Sequence, residues 1–244
     1  MKFASVLLVI FTTIAGCAHP NSESPTTKPI AAAIIEKKPV EKPPIVAAGA
    51  WGSKPQPIDD SRKHAPQWIT IHHAGEMWLA KKTPDQYVRD MQAWGQREKH
   101  WPDLPYHFLI APDGRIFEGR PLIYEPDTNT KYVLAGNIGV EMMGNFERQR
   151  PSPQQIESCA KLVAWLCENQ NIAVDHIRGH KDAAPNQTDC PGKDFYRYLQ
   201  SGEFKQWVTD ILDGKAPRIN PGPPLEGGPT GMIPVSAPTT KPIT

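Results

Sequence analysis

The apolar side chains of this chain are concentrated in one internal stretch, residues 49–213, which contains all seven tryptophans. Before it, residues 18–48 are rich in Pro, Lys, Ala, Ser and Thr without a sustained apolar period, which is typical of a disordered tether. After it, residues 214–244 combine recurrent Pro and Gly with no aromatic residue, so we expect a disordered tail. We therefore predict a single folded domain over residues 49–213, a size usual for one domain.

Residues 1–17 have the three parts of an export signal: Lys2, an apolar run over residues 3–14, and small residues before Cys17. The apolar run is too short to cross a bilayer as a helix. The segment Ile14-Ala15-Gly16-Cys17 resembles the lipobox of bacterial lipoproteins, so we expect Cys17 to carry a lipid anchor. The protein is then held on a membrane of the cell envelope, facing the periplasm if the host has an outer membrane. An ordinary signal peptide with a chance cysteine is the alternative.

Charge and cysteine content narrow the choice of partners and cross-links. The 27 Lys and Arg residues nearly balance the 26 Asp and Glu residues, so the net charge of +1 gives no support for a nucleic-acid partner. Apart from Cys17, the chain has Cys159, Cys167 and Cys190. Cys159 and Cys167 lie in one predicted helix, separated by about 12 Å along its axis, which is too far for a disulfide. We predict that both are buried, apolar thiols.

Strand and helix patterns alternate along residues 49–213. Predicted strands, rich in β-branched, aromatic or apolar residues, cover Gln67–His73, Tyr106–Ala111, Arg115–Glu118, Asn137–Met143 and Val174–Arg178. The pair Asp113-Gly114 is typical of a hairpin turn. Thr83-Pro84-Asp85-Gln86 and Ser152-Pro153-Gln154-Gln155 each predict a helix start, with an N-cap, a first-turn proline and a capping-box glutamine. A helical pattern over residues 195–212 is interrupted near Gly202. This order predicts an α/β domain in which helices pack on a sheet.

Three side chains are candidate metal ligands: His72 at the end of a predicted strand, His180 after another, and Cys190 in a following loop. Two imidazoles and a thiolate, with a fourth position open to water, suit a catalytic zinc ion. Dispersed His and Cys residues are more often structural or surface groups, so their spacing alone leaves the zinc site open.

Several short segments resemble, in order and separation, the family of phage lysozyme-type amidases and peptidoglycan recognition proteins. They are Trp51-Gly52, Ile71-His72-His73-Ala74-Gly75, Tyr106-His107-Phe108-Leu109-Ile110 with Asp113-Gly114-Arg115, Asn137-Ile138-Gly139-Val140-Glu141, Gly179-His180-Lys181-Asp182 and Asp189-Cys190-Pro191-Gly192. The resemblance implies a single α/β domain whose central, mainly mixed β-sheet is flanked by helices, as in the peptidoglycan recognition proteins. It also implies that His72, His180 and Cys190 bind Zn2+.

By position, the resemblance implies catalytic roles for three further residues. Tyr106 matches a tyrosine beside the metal that orients the water or supports the developing oxyanion; a buried core tyrosine is the alternative. Thr188 matches a threonine or lysine that donates a hydrogen bond to the same oxyanion, although the loop over residues 180–190 is somewhat longer than in many members. Glu141 matches a catalytic glutamate of some bacterial members, suited to a general base; an exposed strand glutamate is the alternative.

The other histidines of the matching segments, His73 and His107, are not expected to bind the metal. Successive side chains of a strand face opposite sides, so His73 points away from the metal if His72 points toward it. We expect both His73 and His107 to pack in the interior or to support the ligands through hydrogen bonds.

The activity that the resemblance implies is metal-assisted hydrolysis of the amide between the lactyl group of N-acetylmuramic acid and L-alanine. The partners would be peptidoglycan or muropeptides, together with the membrane that holds the Cys17 anchor, and we expect a monomer. A non-catalytic peptidoglycan receptor is the main alternative; such members usually lack one or more zinc ligands, most often the cysteine. A different zinc hydrolase, such as a peptidase, is a third alternative, although no HExxH segment occurs.

Overall fold

The computed structural model describes residues 38–235 of the 244-residue chain. Cys17 and most of the predicted tether lie outside the described residues, so the lipid anchor stays a prediction. Among the helices of the described part, none is long and apolar enough to cross a membrane. The described residues belong to one compact unit.

A six-stranded sheet forms the centre of the fold. Its strands, in chain order, are β1 (Ile45–Val46), β2 (Trp68–His73), β3 (Phe108–Ile110), β4 (Ile116–Glu118), β5 (Asn137–Met142) and β6 (Ile177–Gly179). Across the sheet the order is β1-β4-β3-β5-β2-β6. In this sheet β3 and β4 are antiparallel and the other neighbours are parallel, which confirms the predicted mixed α/β fold. The carboxyl ends of β5, β2 and β6 therefore meet at one edge, where α/β sheets commonly place ligands.

Helices flank this sheet. In chain order they are α1 (Ala48–Trp51), α2 (Pro84–Trp94), α3 (Pro153–Asn169), α4 (His180–Ala183), α5 (Lys193–Gln200) and α6 (Glu203–Leu212). A π-helical turn over Gly95–Lys99 continues α2, and 3-10 turns cover Asp60–Arg62 and Val174–His176.

Local sequence signals account for the ends of the longer helices. The Thr83 hydroxyl accepts a hydrogen bond from the Gln86 N–H at 3.2 Å, and the Ser152 hydroxyl accepts one from the Gln155 N–H at 3.0 Å. These caps satisfy N–H groups that have no partner within the helix, and both predicted helix starts are confirmed. Gly202, with a φ of +81°, separates α5 from α6 as the sequence indicated.

One face of the sheet packs against α3. An apolar stripe along this helix is buried, and its members are Ile156, Cys159, Ala160, Val163, Leu166 and Cys167. Phe108 of β3 meets Trp165 of α3 edge to face, with 6.5 Å between ring centroids, and α6 covers another side of the helix. Burial of each large apolar side chain contributes about 1.5–3 kcal/mol. Cys159 and Cys167 are free and buried, which confirms the predicted apolar thiols.

The predicted hairpin is present between β3 and β4. Gly114 has a φ of +86°, in the left-handed region that favours glycine. The Asp113 carboxylate accepts a hydrogen bond from the Arg115 N–H at 3.1 Å, which closes the turn.

Two predicted segments near the sheet edges are corrected by the structure. The strand predicted over Val174–Arg178 begins only at Ile177, because the residues before it form the 3-10 turn. The tether predicted over residues 18–48 contains β1, where Ile45 aligns with Ile116 of β4. That pairing depends on a partner far along the chain, so local composition does not reveal it.

The tail predicted to be disordered, residues 214–244, also contains packed residues. Arg197 donates to the Pro223 carbonyl at 2.6 Å, and the Ile233 N–H donates to the Arg150 carbonyl at 2.9 Å. The Ile233 side chain is buried against Gly144, where a Cβ atom would lie 2.6 Å from its Cδ1 atom. The folded part therefore extends past residue 213, held by hydrogen bonds to main-chain carbonyls and by one apolar side chain.

Candidate active site

His72, His180 and Cys190 meet at the carboxyl edge of the sheet. His72 lies near the end of β2, His180 begins α4 directly after β6, and Cys190 lies in the loop that follows α4. The centroids of the two imidazole rings are 4.4 Å apart, and Cys190 Sγ is 3.7 Å from His72 Nδ1. One donor atom from each residue lies within 4.8 Å of the other two, and all three residues are buried. The predicted ligand set is thus brought together.

The arrangement fits a zinc ion. In a tetrahedral site with Zn–S of about 2.3 Å and Zn–N of about 2.0–2.1 Å, sulfur and nitrogen lie about 3.6 Å apart, close to the observed 3.7 Å. Burial lowers the pKa of His72 and lowers that of His180 to about 4, which keeps both rings in the neutral form that binds metal. Burial raises the pKa of the Cys190 thiol, whereas the His73 N–H, 3.3 Å from Sγ, favours the thiolate.

Two threonines orient the His180 ring. Its Nε2 atom lies 2.6 Å from the Thr130 hydroxyl and 3.4 Å from the Thr128 hydroxyl, and the two hydroxyls are 3.0 Å apart. These contacts engage Nε2 and leave Nδ1 as the ring nitrogen for a metal. A hydrogen bond to the second nitrogen is the usual way in which proteins fix the orientation of a metal-binding histidine.

Ion pairs hold the loop that carries these threonines. Arg62 contacts the Asp127 carboxylate at 2.9 Å, and the buried Arg120 pairs with the same carboxylate. Further along the loop, the Lys131 N–H donates to the Gln187 side chain at 2.8 Å, and that side chain donates back to the Lys131 carbonyl at 3.0 Å. Both ends of the threonine segment are therefore anchored, the second one to the loop that leads to Cys190.

Tyr106 and Glu141 lie on the same side of the sheet as His72. Glu141 of β5 aligns with His72 of β2, and Gly139 precedes it by two residues on the same face. The Tyr106 ring packs over Gly139, where a Cβ atom would lie 3.3 Å from the ring. Its centroid is 5.0 Å from that of His72. Glycine at this position lets the tyrosine approach the candidate ligands.

The Glu141 side chain is fully buried, which rules out an exposed strand glutamate. Burial raises its pKa to about 8, although a hydrogen bond from the Tyr87 hydroxyl, 3.0 Å from Oε1, opposes this shift. Among the described residues Oε2 has no hydrogen-bond partner. The Glu141 charge in turn raises the pKa of both Tyr106 and Cys190, after the larger effect of burial.

Thr188 is placed by the loop before Cys190. Its hydroxyl oxygen accepts a hydrogen bond from the Cys190 N–H at 3.1 Å. Because a hydroxyl has one donor and two acceptor positions, this contact leaves its hydrogen available to another acceptor. The catalytic role of Thr188 stays a prediction.

His73 and His107 have main-chain partners. His73 Nδ1 accepts from the Phe146 N–H at 3.1 Å. His107 Nδ1 accepts from the Gly139 N–H at 2.9 Å and its Nε2 lies 2.8 Å from the Tyr124 carbonyl, so Nε2 carries the proton. Burial lowers the pKa of His107 to about 3, which keeps the ring neutral. Both contacts agree with the predicted packing roles.

A groove of about 320 Å3 runs beside the candidate ligands. Tyr87, Met91 and Trp94 of α2 line one side, and Trp101 and Tyr106 are among the other lining residues. Tyr106 belongs both to this groove and to the surroundings of His72, so a ligand in the groove would lie next to the candidate metal site.

Four residues of the site were not identified from the sequence: Tyr87, Thr128, Thr130 and Gly139. An isolated glycine within a strand pattern signals a close approach by another group, and this signal could have identified Gly139. Tyr87 follows the apolar spacing of α2, so its sequence pattern indicates only a residue on the buried face of a helix. The threonines lie in a segment without periodic pattern, so only the fold reveals their contact with His180.

Comparison with known proteins agrees with this geometry. The family model described as N-acetylmuramoyl-L-alanine amidase matches residues 62–193. Peptidoglycan-recognition protein SD of Drosophila simulans is 25% identical over 174 residues, which cover 69% of this chain and 89% of that protein. Peptidoglycan recognition protein 1 of Mus musculus is 27% identical over 161 residues, which cover 65% of this chain and 87% of that protein.

Solved structures show the same fold. The N-acetylmuramoyl-L-alanine amidase LysC from Clostridium intestinale superposes with a TM-score of 0.53 and 26% identity, covering 66% of this chain and 98% of that one. Peptidoglycan recognition protein-LE in complex with tracheal cytotoxin gives a TM-score of 0.57 and 25% identity, covering 64% and 92%. The similar proteins thus include an amidase and recognition proteins. The family match covers more than half of the sequence, and this chain belongs to the N-acetylmuramoyl-L-alanine amidase family.

Proposed function

We propose that this protein is a zinc-dependent amidase that hydrolyses the bond between the lactyl group of N-acetylmuramic acid and L-alanine in peptidoglycan or muropeptides. The observation that carries the proposal is the complete ligand set, with donor atoms of His72, His180 and Cys190 within 4.8 Å of one another. A receptor that only binds peptidoglycan has no need of a buried thiol between two neutral imidazoles. The ligand set therefore favours catalysis over recognition alone.

A zinc ion held by these ligands supplies Lewis-acid activation of water and of the scissile carbonyl. The chain's own residues then supply hydrogen bonds and proton transfer. Burial holds the pKa of Tyr106 well above its ordinary value, so its hydroxyl stays protonated and donates to the oxyanion that develops on the carbonyl. The Thr188 hydroxyl, two residues before Cys190, is the second proposed donor.

Glu141 is the proposed general base. Its pKa of about 8 lies near neutrality, where a carboxylate accepts a proton from water and returns it to the leaving amine with little cost. Glu141 of β5 also aligns with His72 of β2, so its side chain leaves the same face of the sheet as that proposed ligand. This placement supports a proton acceptor beside the ligands.

The groove along α2 supports a substrate that extends beyond the scissile amide. Its side chains combine the aromatic rings of Trp94 and Trp101 with the charges of Glu76, Lys82 and Asp90. Muropeptides also combine apolar and charged groups. Peptidoglycan recognition protein-LE binds tracheal cytotoxin, a monomeric diaminopimelic acid-type peptidoglycan, and we extend this class of ligand to the present chain.

End-group analysis of digested peptidoglycan tests the proposal. Zinc-loaded protein should release one α-amino group on L-alanine per cleavage and create no new reducing sugar end. Tyr106→Phe should lower turnover about a hundredfold or more while zinc content stays the same, because it removes one oxyanion donor. Intact lactyl-alanine linkages with no new amino groups after prolonged digestion would favour a receptor instead. New amino groups inside the stem peptide, with L-alanine still attached to the sugar, would establish a peptidase.

A further inference from the structure

A direct hydrogen bond joins α2 to the carboxylate of Glu141. The Tyr87 hydroxyl donates to Glu141 Oε1 at 3.0 Å, and both side chains are buried. The two residues are 54 positions apart in the sequence, so the contact arises only from the packing of α2 over the polar side of the sheet. It brings a groove-lining helix into contact with the proposed general base.

This bond is the one that orients the carboxylate. The last torsion of a glutamate side chain is broad and has no strong intrinsic preference. Among the described residues Oε2 has no hydrogen-bond partner, so the Tyr87 hydroxyl is the contact that resists rotation of the group. A proton acceptor works efficiently only when its oxygen is held at the correct position.

Tyr87 is itself held rigidly by other groups. Its ring meets Trp78 edge to face, with 5.6 Å between centroids and an interplanar angle of 72°. The Gln149 side chain accepts from the Trp78 N–H at 2.9 Å and donates to the Trp78 carbonyl at 2.7 Å. Lys82 Nζ lies 5.9 Å from the centroid of the tyrosine ring. The hydroxyl is therefore fixed before any substrate binds, as expected of a supporting group in an active site.

We propose that Tyr87 is a positioning residue that holds the Glu141 carboxylate in its productive orientation for proton transfer. This role rests on the proposed amidase function, in which Glu141 is the base. It assigns to α2 a part in the reaction in addition to lining the groove. The alternative is a purely structural bond that satisfies a buried acid without affecting turnover.

A double-mutant cycle tests the proposal. Tyr87→Phe keeps the ring against Trp78 and removes only the hydroxyl, so we expect kcat to fall about tenfold to a hundredfold with KM and zinc content unchanged. In the Glu141→Gln background the same substitution should have no further effect on kcat. An equal fall in both backgrounds would overturn the proposal, because the hydroxyl would then act without Glu141. A rise in KM alone would overturn it in favour of a substrate-binding tyrosine.

Tyr198→Phe is the matched control. Tyr198 is a buried tyrosine of α5. Its hydroxyl accepts a hydrogen bond from the Gly222 N–H at 3.1 Å, where α5 contacts the residues that follow position 213. Its loss should leave kcat and KM unchanged. A comparable fall in kcat for Tyr198→Phe would show that loss of any buried tyrosine hydroxyl disturbs the enzyme, and the positioning role would be rejected.

A crystal structure of Tyr87→Phe gives a readout that does not depend on activity. We expect the Glu141 carboxylate to occupy more than one orientation while Trp78 and the ring at position 87 stay in place. A carboxylate that keeps the wild-type orientation would overturn the proposal. If wild-type protein cuts no lactyl-alanine bond, the amidase function fails, whereas the crystal structure still decides whether Tyr87 orients Glu141.

Discussion

The two faces of strands β2 and β5 carry different kinds of side chain. On the face toward α3 the side chains are apolar and fully buried, and they include Ile69, Ile71, Ile138 and Val140. On the other face the same strands carry Thr70, His72, Gly139 and Glu141. Because side chains of a strand alternate, one segment of six residues in each strand serves both the core and the site.

Burial has opposite effects on stability at the two faces. On the apolar face, loss of contact with water stabilises the fold by about 25 cal/mol per Å2. On the polar face, burial leaves Glu141 Oε2 without a partner among the described residues and raises the Glu141 pKa to about 8. Burial of an unpartnered polar atom is unfavourable. The comparison indicates that burial stabilises the fold on the apolar face and costs stability on the polar face, as is common at functional sites.

The largest effect, loss of zinc and activity, is expected for substitution of Cys190 on the polar face. Cys167 on the apolar side is the control. Cys190→Ala removes a proposed zinc ligand, so zinc binding and amide hydrolysis should both be lost while the domain stays folded. Cys167→Ala removes a thiol on α3, whose pKa burial raises to about 12, so it stays protonated. This control should lower the free energy of unfolding by about 1 kcal/mol and keep zinc and activity.

Zinc analysis and peptidoglycan digestion assays on both variants test whether Cys190, and not Cys167, binds the metal. Stoichiometric zinc in Cys190→Ala would remove this cysteine from the ligand set. Loss of zinc in Cys167→Ala would show that the two faces are not independent.

A smaller effect is expected at the threonine that orients His180. Thr130→Ala removes the hydroxyl 2.6 Å from Nε2, so zinc affinity should fall about tenfold to a hundredfold. Thr130→Ser keeps the hydroxyl and should restore most of the affinity. Competition with a chromophoric chelator measures both variants. Equal affinities for wild type and Thr130→Ala would show that the contact does not orient the ligand.

The apolar side of the fold was predictable from the sequence because its signals are local. Thr83 and Ser152 cap helices within their own segments, and the stripe on α3 repeats with the period of one helix. Predictions that needed a distant partner were incomplete. The β1 strand is specified by β4, and Ile233 packs only because Gly144 leaves room for it.

The polar side was predictable only in part. The proposed ligands lie in short motifs that match a family, and the structure brings them together. The groups that support them occupy no motif. Tyr87 reaches Glu141 across 54 positions and Thr130 reaches His180 across 50. Such contacts are set by tertiary packing, so neither composition nor periodicity reveals them.

The last prediction concerns the stability of the metal-free protein, and it compares adjacent residues of β5. In the folded state the pKa of Glu141 is about 8, against an ordinary value of 4.5. The folded state therefore binds this proton more tightly than the unfolded state. The stability contributed by this tighter proton binding is fully present below pH 4.5 and is lost as the pH rises through 8.

Glu141→Gln has no such titration. Its free energy of unfolding, measured relative to that of wild type, should therefore rise by about 1.4 kcal/mol per pH unit between those two pKa values. Val140, adjacent to Glu141, points to the apolar face. Val140→Ala should lower the free energy of unfolding by about 2 kcal/mol at every pH, because the cavity it creates contains no titratable group. Urea unfolding of chelator-treated protein at several pH values measures both. Parallel stability curves for wild type and Glu141→Gln would show that burial does not raise the Glu141 pKa, and the contrast between the two faces would lose its energetic basis. A pH-dependent loss in Val140→Ala would show instead that repacking of the core disturbs the carboxylate, since the substituted side chain has no titratable group of its own.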